Sequence, residues 1–200
     1  MNNQKQFQLS VVLLLVVTIS IVLFFGGSAK AATSDVLDQE QTSYSSNIWV
    51  NSDYPRYQTF TPFYSGQLSK IDIGIMDRFG SPGALKVSIY KEGDLSTPLG
   101  SAQLASFGSG WTSVDFSSIL PYLTRETMYR MVVSTENGGS AGFGWFTSNY
   151  DAYSRGYSSG FGIDFTFKTY MIPDYALSPA ESQVTINNTS LVADGQARRL

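Results

Sequence analysis

Seven aromatic rings fall within 26 residues of this 200-residue chain, Asn137 to Gly162, together with seven glycines and five serines. Tyrosine and tryptophan offer flat apolar faces with a polar tip, and glycine lets backbone approach a partner closely. A sugar ring presents C–H faces that pack on such rings and hydroxyls that need polar partners. Tyr150, Tyr153 and Tyr157, with Asn149, Asp151 and Arg155 between them, supply both and form the expected ligand-binding group. Phe143 and Trp145, just upstream, read as core residues of a strand. A second, smaller group lies in NIWVNSDYPRY, where Trp49, Tyr54 and Tyr57 stand beside Asn51, Asp53 and Arg56.

Other chemistry is narrowed by what the chain lacks. It contains no histidine and no cysteine. Ser-His and Cys-His nucleophilic pairs are thereby excluded, as are zinc and iron sites built on those ligands. Carboxylates and oxygen-ligated calcium remain. A glycosidase needs two acids facing one bond, and Asp72, Asp115, Glu126 and Asp164 lie on or near expected strands. Their spacing carries no pairing signal, so they read as a solvated polar face and the chain as a non-enzyme. Asp38 and Asp164, near the two ends of the main domain, are the expected ligands of a possible structural calcium.

These residues need a scaffold, and the first 31 residues read as a leader to it. Lys5 precedes Val11 to Phe25, 15 residues without charge, and Ala29 and Ala31 occupy the small-residue positions of a cleavage site. That is the layout of a signal peptide. The apolar run is shorter than the roughly 18 to 20 residues a membrane span requires. The expectation is a secreted, extracellular domain that keeps no membrane anchor. Cleavage after Ala31 would remove two lysines and no acid, leaving 11 basic residues against 16 acidic ones. An acidic domain lacks the electrostatic footprint of a nucleic-acid binder.

From there to Met171 the text is period-two. Ile71, Ile73 and Ile75 alternate with Lys70, Asp72 and Gly74; Leu85, Val87 and Ile89 alternate with Lys86, Ser88 and Tyr90. Thr112, Val114 and Phe116 share a side, as do Tyr129, Met131 and Val133. In Gly162 to Met171, Ile163, Phe165 and Phe167 are expected inward, with Asp164, Thr166 and Lys168 outward. About eight half-buried strands separated by turn signals predict an all-β, antiparallel, jelly-roll-like β-sandwich over 32–172. Residues 173–183, with two prolines, read as a linker to a tail over 184–200.

Within that domain, DQEQ, QTFTP, PGALKVSIY, LTRETMYRMVVS and DFTFKTY resemble the accessory β-sandwich modules of secreted bacterial proteins, related in style to carbohydrate-binding jelly rolls. The resemblance implies a non-catalytic module for polysaccharide or a cell-wall component, some of its kind carrying structural calcium. SLVADGQ, Ser190 to Gln196, resembles the opening of invasin-like bacterial immunoglobulin domains. It implies a surface protein and leaves open a structural or adhesive role without a sugar site.

Overall fold

The longest strand organises the rest. In the computed structural model, which describes residues 34–160 and 162–174, β4 runs fourteen residues from Gly66 to Phe79. At that length each edge can pair two partners in succession. One edge pairs β11 (Phe167–Pro173) and then β10 (Gly142–Thr147); the other pairs β8 (Tyr122–Leu123) and then β7 (Gly110–Asp115). β1 (Val36–Gln41) and β2 (Ser46–Val50) extend β11 and β10, completing a seven-stranded antiparallel sheet. The second sheet has four strands in the order β3 (Arg56–Phe60), β9 (Tyr129–Thr135), β5 (Leu85–Lys91), β6 (Gly100–Leu104).

Alternation decides which face of each sheet turns inward. Ile71, Ile73, Ile75, Val114, Phe116, Phe143, Trp145 and Phe167 come from the large sheet; Phe60, Leu85, Val87, Ile89, Met131 and Val133 come from the small one. All are fully buried in one shared core. Phe60 reaches across to Phe167 and packs beside Tyr129 at ring separations of 6.3 and 6.2 Å. The expected all-β sandwich is what forms.

Among the described residues eleven strands stand where about eight were expected. β2 and β8 were not anticipated, because Ser46–Val50 reads as part of an aromatic cluster and Tyr122–Leu123 lies in a Pro- and Thr-rich turn. Residues 162–166 are a connection, not the start of the last strand. There the chain leaves the ladder between a single bridge, Thr147 to Phe165, and the first β11 pair, Phe167 to Ile73. Asp164 is therefore buried at 1 % exposure, contrary to its expected outward position. Among the described residues no helix is long and apolar enough to cross a membrane. The expected leader, most of the linker and the tail lie outside the described residues.

Trp145 ties β10 to this connection. Its ring stacks on Phe165 at 4.2 Å, and its indole N–H donates to the Thr166 carbonyl at 2.8 Å. Trp145→Phe keeps the ring and loses the bond, so chemical denaturation should show a loss of about 1 kcal/mol. Trp145→Ala should cost roughly 3 to 5 kcal/mol. Equal costs for the two variants would contradict this division.

Candidate functional site

Residues 148–160, between β10 and the connection to β11, hold the three tyrosines expected to bind a ligand. Their backbone is fixed by the Asp164 carboxylate. One oxygen accepts the Ala152 and Tyr153 N–H groups at 2.7 and 2.9 Å, and the other accepts the Gln58 side-chain amide at 2.9 Å. Gln58 in turn accepts the Phe165 N–H at 2.9 Å. Three N–H donors thus occupy both oxygens of the carboxylate.

This anchoring separates the tyrosines. Tyr153 turns inward, 6 % exposed, edge-on to Phe167 at 5.0 Å, and donates its hydroxyl to Gln39 at 2.7 Å. Burial pushes its phenol well above the usual tyrosine range. A ring so enclosed offers no face for stacking, and Tyr153 is withdrawn from the expected site. Tyr157 lies instead on the outer face of the small sheet. It meets Tyr57 edge-on at 6.2 Å and donates to Glu92 at 2.8 Å, while Glu92 grips Arg130 through two bonds and Arg130 stacks on Tyr57.

Arg155 is likewise engaged. Its guanidinium donates to the carbonyls of Thr61 and Pro62, pairs with Glu126 at 3.1 Å and lies over the Phe63 ring. It lines a shallow depression of about 330 Å³ with Thr61, Met128, Ser154 and Gly156. Asn149, Tyr150 and Asp151 remain exposed at the loop tip. The six expected residues thus do not form one surface.

The second aromatic group also divides. Asn51 is fully buried, where it accepts from Asp53 and Tyr54 and donates to the Gly139 and Ala141 carbonyls, closing a turn. Tyr57 belongs to the small-sheet cluster. Trp49 alone joins a different surface, the outer face of the large sheet.

That face gathers aromatic residues from five places in the chain. Register sets Trp111 opposite Gly74, Trp49 opposite Gly144 and Phe146 opposite Asn47, all on the side away from the core. Glycine makes room for the rings. A Cβ on Gly142 would lie 2.7 Å from the Trp49 ring, and one on Gly74 would meet Thr166 at 2.3 Å and Phe146 at 3.4 Å. Trp49 and Phe146 are half-buried there, and further rings lie against them. Phe79 packs against Trp49 at 5.2 Å, and Tyr44 covers Phe146 at 4.3 Å. Asn47 donates to Met76 at 2.8 Å between them. Tyr44, Met76, Phe79 and Trp111 are 61, 42, 48 and 46 % exposed, far more than satisfied core residues show. Alternation in β4, β7 and β10 carried a signal for this face, since Trp111 and Phe146 sit at the polar positions of their strands.

Polar groups border the rings. Lys168 lies 5.0 Å from the centre of Trp111 and 3.8 Å from Glu40. Asp72 accepts from Ser113 at 2.6 Å and Tyr170 at 2.9 Å, and burial together with that bond pushes the Tyr170 phenol up to about 12.

The four acids do not gather as one group: Asp72 and Asp115 share the outer face of the large sheet, whereas Glu126 and Asp164 lie elsewhere. Asp72 is held by Ser113 and Tyr170, Asp115 by Ser117, Glu126 by Arg155, and Asp164 by the amides above. Nor do Asp38 and Asp164 make the expected calcium pair, since N–H donors occupy Asp164. Asp38 sits at a bulge in β1, 7 % exposed, with one oxygen accepting the Phe63 and Tyr64 N–H groups at 3.0 and 3.1 Å. Its other oxygen has no partner among the described residues. No group of three acidic side chains able to hold a metal occurs among the described residues.

Comparison with known proteins returned no match, either to a family model or to a curated protein.

Burial raises the Asp38 carboxyl above its ordinary range, although the Tyr64 and Phe63 N–H groups and Arg155 pull it down. An acid raised on folding lends stability that is complete below its unfolded value and lost as pH rises through its folded one. Asp38→Asn removes that dependence. From about pH 4 to about pH 8 the Tm of the variant should rise relative to wild type. A Tm difference that stays constant across this range would contradict the assignment.

Proposed function

We propose that this domain is a secreted, non-catalytic module that binds carbohydrate or cell-envelope polymer on the outer face of its large sheet. The observation that carries the reading is the set of rings on that face: Trp49 over Gly142 with Phe79 against it, Phe146 beside Gly74 with Tyr44 over it, and Trp111, with Tyr44, Phe79 and Trp111 each more than two-fifths exposed. A sandwich core has no need of five rings on its outer side, whereas a stacking surface does. Exposed apolar surface of this kind marks an interaction site when it is contiguous and bordered by polar groups. Asn47, Lys168, Glu40 and Ser113 supply amide, ammonium, carboxylate and hydroxyl at its border.

A structural or adhesive domain that contacts protein is the second reading. Met76 and Leu37, both over two-fifths exposed, favour it, since a thioether and an aliphatic chain serve a protein partner better than a sugar.

Affinity electrophoresis of the domain through gels containing plant and bacterial polysaccharides tests the proposal. Stacking on one exposed ring is worth about 1 to 3 kcal/mol in nucleic-acid systems. On that scale Trp111→Ala with Tyr44→Ala should weaken retardation by at least about tenfold. Tyr150→Ala with Tyr157→Ala should leave it unchanged. Retardation by no polymer, or loss only in the second pair, would overturn the proposal.

A further inference from the structure

The charges around the seated rings point to the class of polymer. The charged side chains in the two rows next to Trp111 have partners within the domain. Lys168 lies between the Trp111 ring and Glu40, and Lys70 sits over the Tyr170 ring at 3.8 Å. Asp72 is taken up by Ser113 and Tyr170, and Asp115 by Ser117, whose bonds hold its carboxyl below the usual range. The strand register interleaves the signs. Asp115, Lys70 and Tyr170 form one row, and Ser113, Asp72, Lys168 and Glu40 form the next. Two lysines therefore stand among three acids.

An anionic polymer needs unpaired cations in series, and repulsion from like charge penalises it here. A cationic polymer needs acids free to accept it, and here Asp72 and Asp115 already accept from Ser113, Tyr170 and Ser117 while Glu40 pairs with Lys168. What stays available is ring faces together with hydroxyl and amide groups.

We infer that the outer face of the large sheet takes an uncharged polysaccharide, a statement that rests on the binding reading above. Ring stacking would supply the affinity, and the oxygens of Ser113, Tyr170 and Asn47, whose donors are engaged with Asp72 and Met76, would accept from ligand hydroxyls. No counterions are released when a neutral chain binds, so the affinity should be nearly independent of salt.

The test uses the full mature chain with two panels of soluble probes. Hydroxyethylcellulose, galactomannan and soluble starch are neutral, and polygalacturonate and alginate are anionic. The expectation is retardation by at least one neutral polymer, changing by less than about twofold between roughly 50 and 500 mM NaCl, and none by the anionic pair. Retardation by an anionic polymer, whether or not salt abolishes it, overturns the inference and leaves the binding reading standing. Retardation by neither panel overturns both.

Discussion

A single buried carboxylate decides the course of the aromatic-rich loop 148–160. Asp164 sits at the point where the chain leaves the sheet ladder, and it gathers N–H groups from Gln58 on β3 and from Ala152 and Tyr153 on the loop. Removing it would leave three donors unsatisfied in the interior, and each buried donor without a partner costs about 1 to 3 kcal/mol. Because the anchor holds the backbone at 152 and 153, Tyr153 is carried into the core. The following residues pass along the outer edge of β3, where Thr59 and Ser159 donate to the carbonyls of Tyr157 and Tyr57. The loop richest in aromatic residues is thus spent on closing one side of the sandwich.

A complementary constraint shapes the large sheet. A β-strand normally stands side chains off both faces, which prevents a neighbouring ring from lying along the backbone. Gly74, Gly142 and Gly144 remove that obstacle. They cost β-propensity in β4 and β10. The Trp49, Phe146 and Asn47 side chains occupy the space they leave.

How far the sequence could be read follows from the range of the interactions. Ile71, Ile73 and Ile75 announce the inner face of β4 because alternation is a property of neighbouring residues. Phe143 and Trp145 were legible as core for the same reason. Asp164 was misplaced because alternation was extended through residues 162–166, where no ladder forms. The face carrying Trp49, Phe79, Trp111 and Phe146 was signalled only strand by strand, by aromatic residues at polar positions, because its members come from four strands and only non-local pairing sets them side by side. Tyr150, Tyr153 and Tyr157 looked like a set because they are close in sequence. Spacing of three and four residues in a loop does not fix a common direction.

The three tryptophans make the central claim directly measurable. Trp49 and Trp111 lie on the outer face of the large sheet, and Trp145 is fully buried with its indole N–H bonded to Thr166. Their indole N–H signals can be followed by NMR while a neutral oligosaccharide from the retarding polymer is added. The account predicts that the Trp49 and Trp111 signals move together along one binding curve while the Trp145 signal stays in place. Stationary signals for both outer tryptophans, with shifts confined to residues 148–160, would contradict it.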